Sequence, residues 1–129
     1  MLRPKALDHV GLIVSDMDRS VKFYQRLGLE LLRRSEHGAE GASSAVLKVG
    51  DQEINLFCRP DFVSDHRDDP RGIDHFCLMM ENVTIDDLVE ALFQAGIHIV
   101  SGPVERRAGA ALFVTDPDGA RVELQINIP

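Results

Sequence analysis

The chain has 129 residues, of which 44% are hydrophobic, so it is long enough to bury the core of one compact domain. Its formal net charge of −7 argues against nucleic acid and against an anionic membrane surface as partners. No apolar run approaches the ~20 residues needed to cross a membrane. Composition therefore leaves neither nucleic acid nor membrane as an expected partner.

The first half of the chain predicts the element order βαβββ. Residues 7–14 are apolar and rich in β-branched side chains, which favours a strand. Ser15 or Asp16 can cap a helix over residues 16–27, and Gly28 ends it. Three more strands are then predicted, at 29–35, 45–49 and 52–58.

The second half of the chain predicts the same order again. Residues 61–72 are polar and lack periodicity, so we expect a linker there, between a first module at about 5–60 and a second at 73–127. The turn sequence Asp116-Pro117-Asp118-Gly119 separates the last two predicted strands. The predicted elements of the second module are a strand at 73–81, a helix at 84–95, and strands near 98–101, 110–115 and 120–127. The fold class is therefore predicted to be α+β, in one domain of two modules.

The two cysteines bear on the compartment. Cys58 and Cys77 both lie in apolar, strand-like runs, where a thiol is usually buried. A chain with two separated cysteines and no secretory leader predicts reduced thiols in the cytoplasm rather than a disulfide framework.

Two histidines occupy the same place in the two predicted modules. Asp8-His9 opens the first apolar run, and Asp74-His75 opens the corresponding run in the second half. The same repeat aligns Asn55, in the fourth predicted strand, with Glu123. Two imidazoles and a carboxylate are a common set for binding a divalent cation at an open, reactive site.

Alternation within the strands predicts where these side chains point. In the last strand Arg121, Glu123 and Gln125 share one face, and the apolar residues between them share the other. Because the apolar face must pack on the helices, Glu123 is expected on the opposite, polar and concave face. The same alternation places Asn55 and Phe57 on that face of the fourth strand.

Three stretches together resemble one known superfamily. They are Leu7-Asp8-His9-Val10-Gly11-Leu12, Phe23-Tyr24 before Leu27-Gly28-Leu29, and Asp116-Pro117-Asp118-Gly119 followed by Val122-Glu123-Leu124. They are similar to the vicinal oxygen chelate superfamily, which includes glyoxalase I, fosfomycin-resistance proteins, methylmalonyl-CoA epimerase, extradiol dioxygenases and bleomycin-resistance proteins. The stretch Gly50-Asp51-Gln52-Glu53-Ile54-Asn55-Leu56 is further similar to the glyoxalase-domain-containing protein 5 group.

The resemblance implies a specific architecture and site. Two βαβββ modules would form a cup-shaped mixed sheet with the helices outside, as in glyoxalase/dioxygenase-like folds. A divalent metal would be held by the first and fourth strands of each module, here by His9, Asn55, His75 and Glu123. We expect Mn²⁺, Fe²⁺, Ni²⁺ or Zn²⁺, and a small substrate that chelates the metal through adjacent oxygens. Exposed sheet edges further predict a homodimer. The resemblance leaves open whether the two modules that share a site belong to one chain or to two.

Asn55 departs from the pattern of two activities in this superfamily. Glyoxalase I typically has a carboxylate there, and the epimerases a glutamate or glutamine. An amide oxygen is a weak ligand for a hard metal and cannot act as a general base. Only Glu123 could then move protons, and with His9 and His75 it resembles the two-histidine, one-carboxylate set of fosfomycin-type transferases and extradiol dioxygenases.

Each candidate also has a purely structural alternative. The histidines could simply bond to the preceding aspartates, and Glu123 could pair with an arginine. Arg121 and Phe57 are predicted to bind substrate, although Arg121 could equally pair with a local acid. Two functions therefore remain open: a metal-dependent lyase, isomerase or transferase, and a metal-free module that binds or sequesters a small molecule, as bleomycin-resistance relatives do.

Overall fold

The computed structural model describes residues 1–36, 38, 42–59 and 72–128, which carry eight strands and two helices. The chain separates into two compact units, Met1–Ser64 and Asp65–Pro129. Each unit holds one helix and one four-stranded sheet. The predicted linker lies outside the described residues up to position 71, so the module boundaries stay a prediction.

The first unit has the order β1 (His9–Ile13), α1 (Met17–Arg26), β2 (Glu30–Ser35), β3 (Ser43–Val49) and β4 (Gln52–Cys58). The strands lie in the order β1-β4-β3-β2 across the sheet. β1 and β4 are parallel, and the other neighbours are antiparallel. The result is a mixed sheet in which the first and fourth strands lie side by side.

Helix α1 forms where the sequence predicts it and packs on its own sheet. The Asp16 carboxylate accepts a hydrogen bond from the Arg19 backbone N–H at 3.1 Å, which caps the helix. After the helix, Gly28 has φ +100°, a left-handed conformation that suits glycine. The buried face of α1 includes Val21 and Tyr24, and the helix contacts β2, β3 and β4.

The second unit repeats this plan with β5 (Phe76–Met79), α2 (Ile85–Gln94), β6 (Ile99–Arg106), β7 (Gly109–Thr115) and β8 (Arg121–Asn127). Its strands lie in the order β5-β8-β7-β6, with β5 parallel to β8. Thr84 caps α2 through the Asp87 backbone N–H. The core of this unit is formed by buried apolar side chains: Leu78, Leu88, Leu92, Leu112, Val114, Val122, Leu124 and Ile126.

The predicted α+β fold of two βαβββ modules with mixed sheets is confirmed, and two strands differ in length. β5 is shorter than the predicted strand at 73–81, and β6 is longer than the one at 98–101. Pro103 has no N–H to give to a ladder, and the pairing register shifts between Ser101 and Val104. The strand nevertheless resumes and reaches Arg106. Among the described residues no helix has the length and apolar character of a membrane span.

The expectation that both thiols are buried is wrong for Cys77. Cys58 is half-buried, whereas Cys77 is exposed, and both are free thiols. Cys77 alternates with the buried Leu78 and so lies on the opposite face of β5. The run Phe76-Cys77-Leu78-Met79 is apolar throughout, so the sequence alone does not indicate which face is covered.

Candidate functional site

Strand register gives the two candidate ligand pairs the same relative placement. In the first unit Gly11, two residues after His9 in β1, lies opposite Asn55 of β4. In the second unit Cys77 of β5, two residues after His75, lies opposite Glu123 of β8. Side chains two residues apart in an extended chain point to the same face. Each histidine therefore lies diagonally across a parallel strand pair from its fourth-strand partner, as the repeat predicts.

His75 lies between two carboxylates. Its Nε2 is 3.2 Å from Glu123 Oε2, and its Nδ1 is 2.7 Å from Asp74 Oδ2. We assign the hydrogen to Nδ1, because the contact with Asp74 is the shorter of the two, and the neutral ring then has a lone pair on Nε2. That lone pair would repel the Glu123 oxygen unless a proton or another cation lies between them. The hydrogen bond between His75 and Asp74, predicted as the purely structural alternative, is therefore present. It leaves Nε2 available for a cation.

Asp74 connects His75 to Arg121. Its Oδ2 also accepts a hydrogen bond from Arg121 Nη1 at 3.0 Å. The hydrogen bond from His75, and then the charge of Arg121, hold the pKa of Asp74 below its ordinary value. Asp74 therefore stays ionised and fixes the orientation of the imidazole, as carboxylates behind metal-binding histidines do.

Arg121 is engaged within the second unit. Besides its bond to Asp74, its guanidinium carbon lies 4.9 Å from the centre of the Phe113 ring. The same ring meets His75 edge to face, with centroids 5.3 Å apart. The predicted alternative, in which Arg121 pairs with a local acid, is therefore present, and the acid is Asp74. A role for Arg121 in binding substrate stays a prediction.

Glu123 is buried on the polar face of β8. Only 7% of the residue is exposed, and its neighbours Val122 and Leu124 on the other face are fully buried. Glu123 Oε1 accepts a hydrogen bond from Arg106 Nε at 3.3 Å. The two carboxylate oxygens therefore have different partners, Arg106 at Oε1 and His75 at Oε2.

Arg106 is the site residue that the sequence analysis missed. The predicted strand at 98–101 ends before it, because Gly102-Pro103 is a typical strand terminus. No local pattern indicates that the strand resumes after Pro103, so the sequence carries no signal for this contact.

His9 has the same local geometry as His75. Its Nδ1 lies 2.8 Å from Asp8 Oδ2, and its side chain is 48% exposed. A hydrogen on Nδ1 again leaves the Nε2 lone pair on the side of the ring away from the aspartate. Both histidines therefore have a carboxylate at Nδ1 and Nε2 on the opposite side of the ring, as metal-binding histidines often do.

Asn55 and Phe57 share the polar face of β4. Asn55 Oδ1 is buried and has no hydrogen-bond partner among the described residues. A buried acceptor without a partner costs about 1–3 kcal/mol, so such atoms are usually completed by water, a ligand or an ion. Phe57 is 36% exposed, which leaves part of its ring available for contact. A substrate contact at Phe57 stays a prediction.

Cys77 is the register neighbour of Glu123 on the second sheet. Partial burial, and then the negative charge of Glu123, raise the pKa of the Cys77 thiol. The thiol is therefore protonated at neutral pH and is a poor ligand and nucleophile in this state.

The donor types fit a divalent cation. Within the described residues no group of three or more His, Cys, Asp or Glu side chains is placed to hold a metal ion. His75 and Glu123 form a close pair in the second unit, and His9 and Asn55 are the candidate donors of the first. Imidazole nitrogen and carboxylate oxygen are ligands that Mn²⁺, Fe²⁺, Ni²⁺ and Zn²⁺ accept. The full ligand set stays a prediction.

Comparison with known proteins agrees with the resemblance found in the sequence. The virulence protein STM3117 of Salmonella typhimurium is 31% identical over 124 residues, covering 92% of this chain and 81% of that protein. A lactoylglutathione lyase of the same organism is 31% identical over 121 residues, covering 90% and 88%. A solved glyoxylase/bleomycin resistance protein/dioxygenase domain from Frankia sp. EAN1pec superposes with a TM-score of 0.80 at 27% identity, covering 98% and 94%.

A family model matches residues 6–124, which is most of the chain. The match includes both histidine positions, Asn55 and Glu123. The chain therefore belongs to the Glyoxalase/Bleomycin resistance protein/Dioxygenase superfamily.

Proposed function

We propose that this protein is a metal-dependent enzyme of the glyoxalase/dioxygenase type. It acts on a small substrate that chelates the metal through two adjacent oxygens, in a lyase, isomerase or transferase reaction. The observation that carries the proposal is the position of His75 Nε2, 3.2 Å from the buried Glu123 carboxylate, with Asp74 against the other ring nitrogen. A divalent cation bound by both atoms would replace this contact with two bonds.

The metal would be held by His75 Nε2, Glu123 Oε2 and His9 Nε2, with the Asn55 amide oxygen as a weak fourth ligand. When bound, it supplies Lewis acidity that polarises a substrate carbonyl and offsets negative charge on a substrate oxygen. Asp74 and Asp8 keep the imidazoles in the ligating orientation. Arg121 and Phe57 contact the substrate beside this centre.

Glu123 is the proposed catalytic base. Its carboxylate has little exposure to water, with 10% of the side chain accessible, so it can exchange a proton with a bound substrate rather than with solvent. Asn55 cannot share this role, because an amide does not accept a proton. The lyase class is supported by the relative from Salmonella typhimurium that is named a lactoylglutathione lyase, at 31% identity.

A second candidate is a metal-free module that binds or sequesters a small molecule. The contacts of Glu123 favour it, since His75 and Arg106 already lie against its two oxygens within one unit. If His75 is protonated, the resulting set of ion pairs is complete without a metal.

The proposed enzyme works as a homodimer in the cytoplasm. β1 and β2 are the end strands of the first sheet, and β5 and β6 those of the second, so their outer backbone groups can pair with or be covered by a second copy. Free Cys58 and Cys77 are compatible with a reducing compartment.

Calorimetric titration with Ni²⁺ tests the proposal, using protein purified without an affinity tag and treated with a chelator. The wild type should bind one ion per chain, and His75→Ala and Glu123→Ala should lose tight binding. Gln125→Ala is the matched control, because Gln125 lies two residues from Glu123 on the same face of β8. If wild type and His75→Ala bind equally, the metal-dependent function is wrong and the binding module replaces it.

A further inference from the structure

The two oxygens of Glu123 are held in different ways. Arg106 Nε donates to Oε1 at 3.3 Å, while Oε2 faces His75 Nε2 at 3.2 Å. We propose that Arg106 is a positioning residue for Glu123: its guanidinium holds Oε1 so that the carboxylate offers only Oε2 to a divalent cation. This inference rests on the proposed function, since it assigns Arg106 a part in building the same centre.

The sheet allows Arg106 to reach across an intervening strand. Arg106 is the last residue of β6, and β7 lies between it and β8. At this end of β7 the side chains are small, in the run Gly109-Ala110-Ala111. A Cβ at Gly109 would collide with the Ile126 carbonyl oxygen, so β7 approaches β8 more closely than a larger residue permits. Arg106 pairs with Gly109, which lies opposite Asn127, four residues along β8 from Glu123. The Arg106 side chain therefore extends along the sheet as well as across β7, over the small residues Gly109 and Ala111, which share the face of Glu123.

The chemistry of the pair gives Arg106 two effects of opposite sign on metal affinity. A guanidinium stays charged at any working pH, so its charge repels a cation at Glu123 and lowers the affinity. Its N–H, however, fixes the rotation of a carboxylate that could otherwise bind through either oxygen or both. Loss of such an orienting hydrogen bond typically weakens metal binding about 10–100-fold.

Two substitutions separate the charge from the hydrogen bond. In Arg106→Gln the side-chain amide nitrogen stands at the position of the arginine Nε, so the donor remains and the charge is lost. Arg106→Met has similar length and lacks both. Because neither variant carries the charge, the ratio of their affinities reports the N–H donor alone.

The measurements are the Kd for Ni²⁺ by calorimetry and the visible absorption spectrum of Co²⁺, whose shape and intensity depend on coordination number and geometry. Arg106→Gln should keep the wild-type Co²⁺ spectrum and bind Ni²⁺ as tightly as the wild type or more so. Arg106→Met should bind at least about 10-fold more weakly than Arg106→Gln and should change the spectrum. A merely structural role for Arg106 would leave the spectrum of the folded variants unchanged.

The outcomes distinguish this inference from the proposed function. If Arg106→Gln and Arg106→Met have the same Kd and spectrum, while His75→Ala and Glu123→Ala lose binding, the role of Arg106 is overturned and the metal centre stands. If His75→Ala binds like the wild type, both fail. Thermal unfolding of each variant establishes that it is folded, and Arg106→Leu replaces Arg106→Met if the latter is not.

Discussion

His75 Nε2 and Glu123 Oε2 lie 3.2 Å apart, in a contact that the neutral imidazole satisfies only if its hydrogen is on Nε2. Asp74 occupies the other ring nitrogen, at 2.7 Å, and so removes the tautomer that could donate to Glu123. What lies between the two atoms is then either a second ring proton or a cation. A proton and a metal ion would compete for the lone pair of His75 Nε2. That lone pair faces Glu123 because Asp74 holds the other ring nitrogen.

The first prediction concerns this orientation. Asp74→Ala should weaken Ni²⁺ binding about 10–100-fold, because His75 loses the partner that fixes its ring and tautomer. Asp8→Ala should act in the same direction through His9, if the second imidazole is also a ligand. Calorimetry measures both effects, with Gln125→Ala as control. An unchanged Kd in Asp74→Ala would show that the carboxylate does not support the centre.

The second prediction concerns pH. The pKa of Asp74 is lowered in the folded state from its ordinary 3.8, first by the hydrogen bond from His75 and then by Arg121. The stabilisation that this ionised carboxylate provides is therefore fully present above pH 3.8 and is lost as the pH falls through the lower folded pKa. The difference in Tm between wild type and Asp74→Asn should be present at pH 6 and should shrink as the pH falls below 3.8. A difference that grows on acidification would contradict the assignment.

The third prediction concerns Asn55. Asn55→Ala should change Ni²⁺ affinity much less than His75→Ala, because an amide oxygen is a weak ligand. Asn55→Glu should tighten the site, since it adds a charged oxygen ligand at the equivalent of Glu123. Calorimetric titration of the wild type and of the three variants under the same conditions gives the comparison. Looser binding in Asn55→Glu would place residue 55 away from the cation.

The fourth prediction concerns Cys77. Burial and the charge of Glu123 raise the pKa of this thiol, so its thiolate fraction at a given pH is small. In a Cys58→Ser background, Glu123→Gln should lower the pKa of Cys77 and speed its alkylation by iodoacetamide at pH 8. The pH profile of the rate gives the pKa directly. Equal profiles with and without the substitution would mean that Glu123 does not act on the thiol.

The repeat and the strand faces could be predicted from the sequence for physical reasons. Val122, Leu124 and Ile126 alternate with polar residues, and an alternation of this kind can bury only one face, which leaves Glu123 on the other. His75 and Asp74 are neighbours in the chain, so their contact depends on local geometry alone.

Arg106 and Cys77 could not be placed in this way. The contact of Arg106 with Glu123 spans the intervening strand β7 and depends on the register beyond Pro103, which no local pattern specifies. The face of Cys77 depends on what covers a short strand that is apolar at every position. In both cases tertiary packing decides, and the local sequence is compatible with either outcome.

X-ray absorption of the Ni²⁺-loaded protein tests whether His9 and His75 bind the metal, because imidazole rings bound to the metal give a characteristic multiple-scattering pattern. We expect two imidazoles per metal ion in the wild type, with metal–ligand distances of about 2.0–2.2 Å. His9→Ala and His75→Ala, each loaded at a Ni²⁺ concentration that saturates the weakened site, should show one. A wild-type spectrum without imidazole, or one that His75→Ala leaves unchanged, would contradict this assignment.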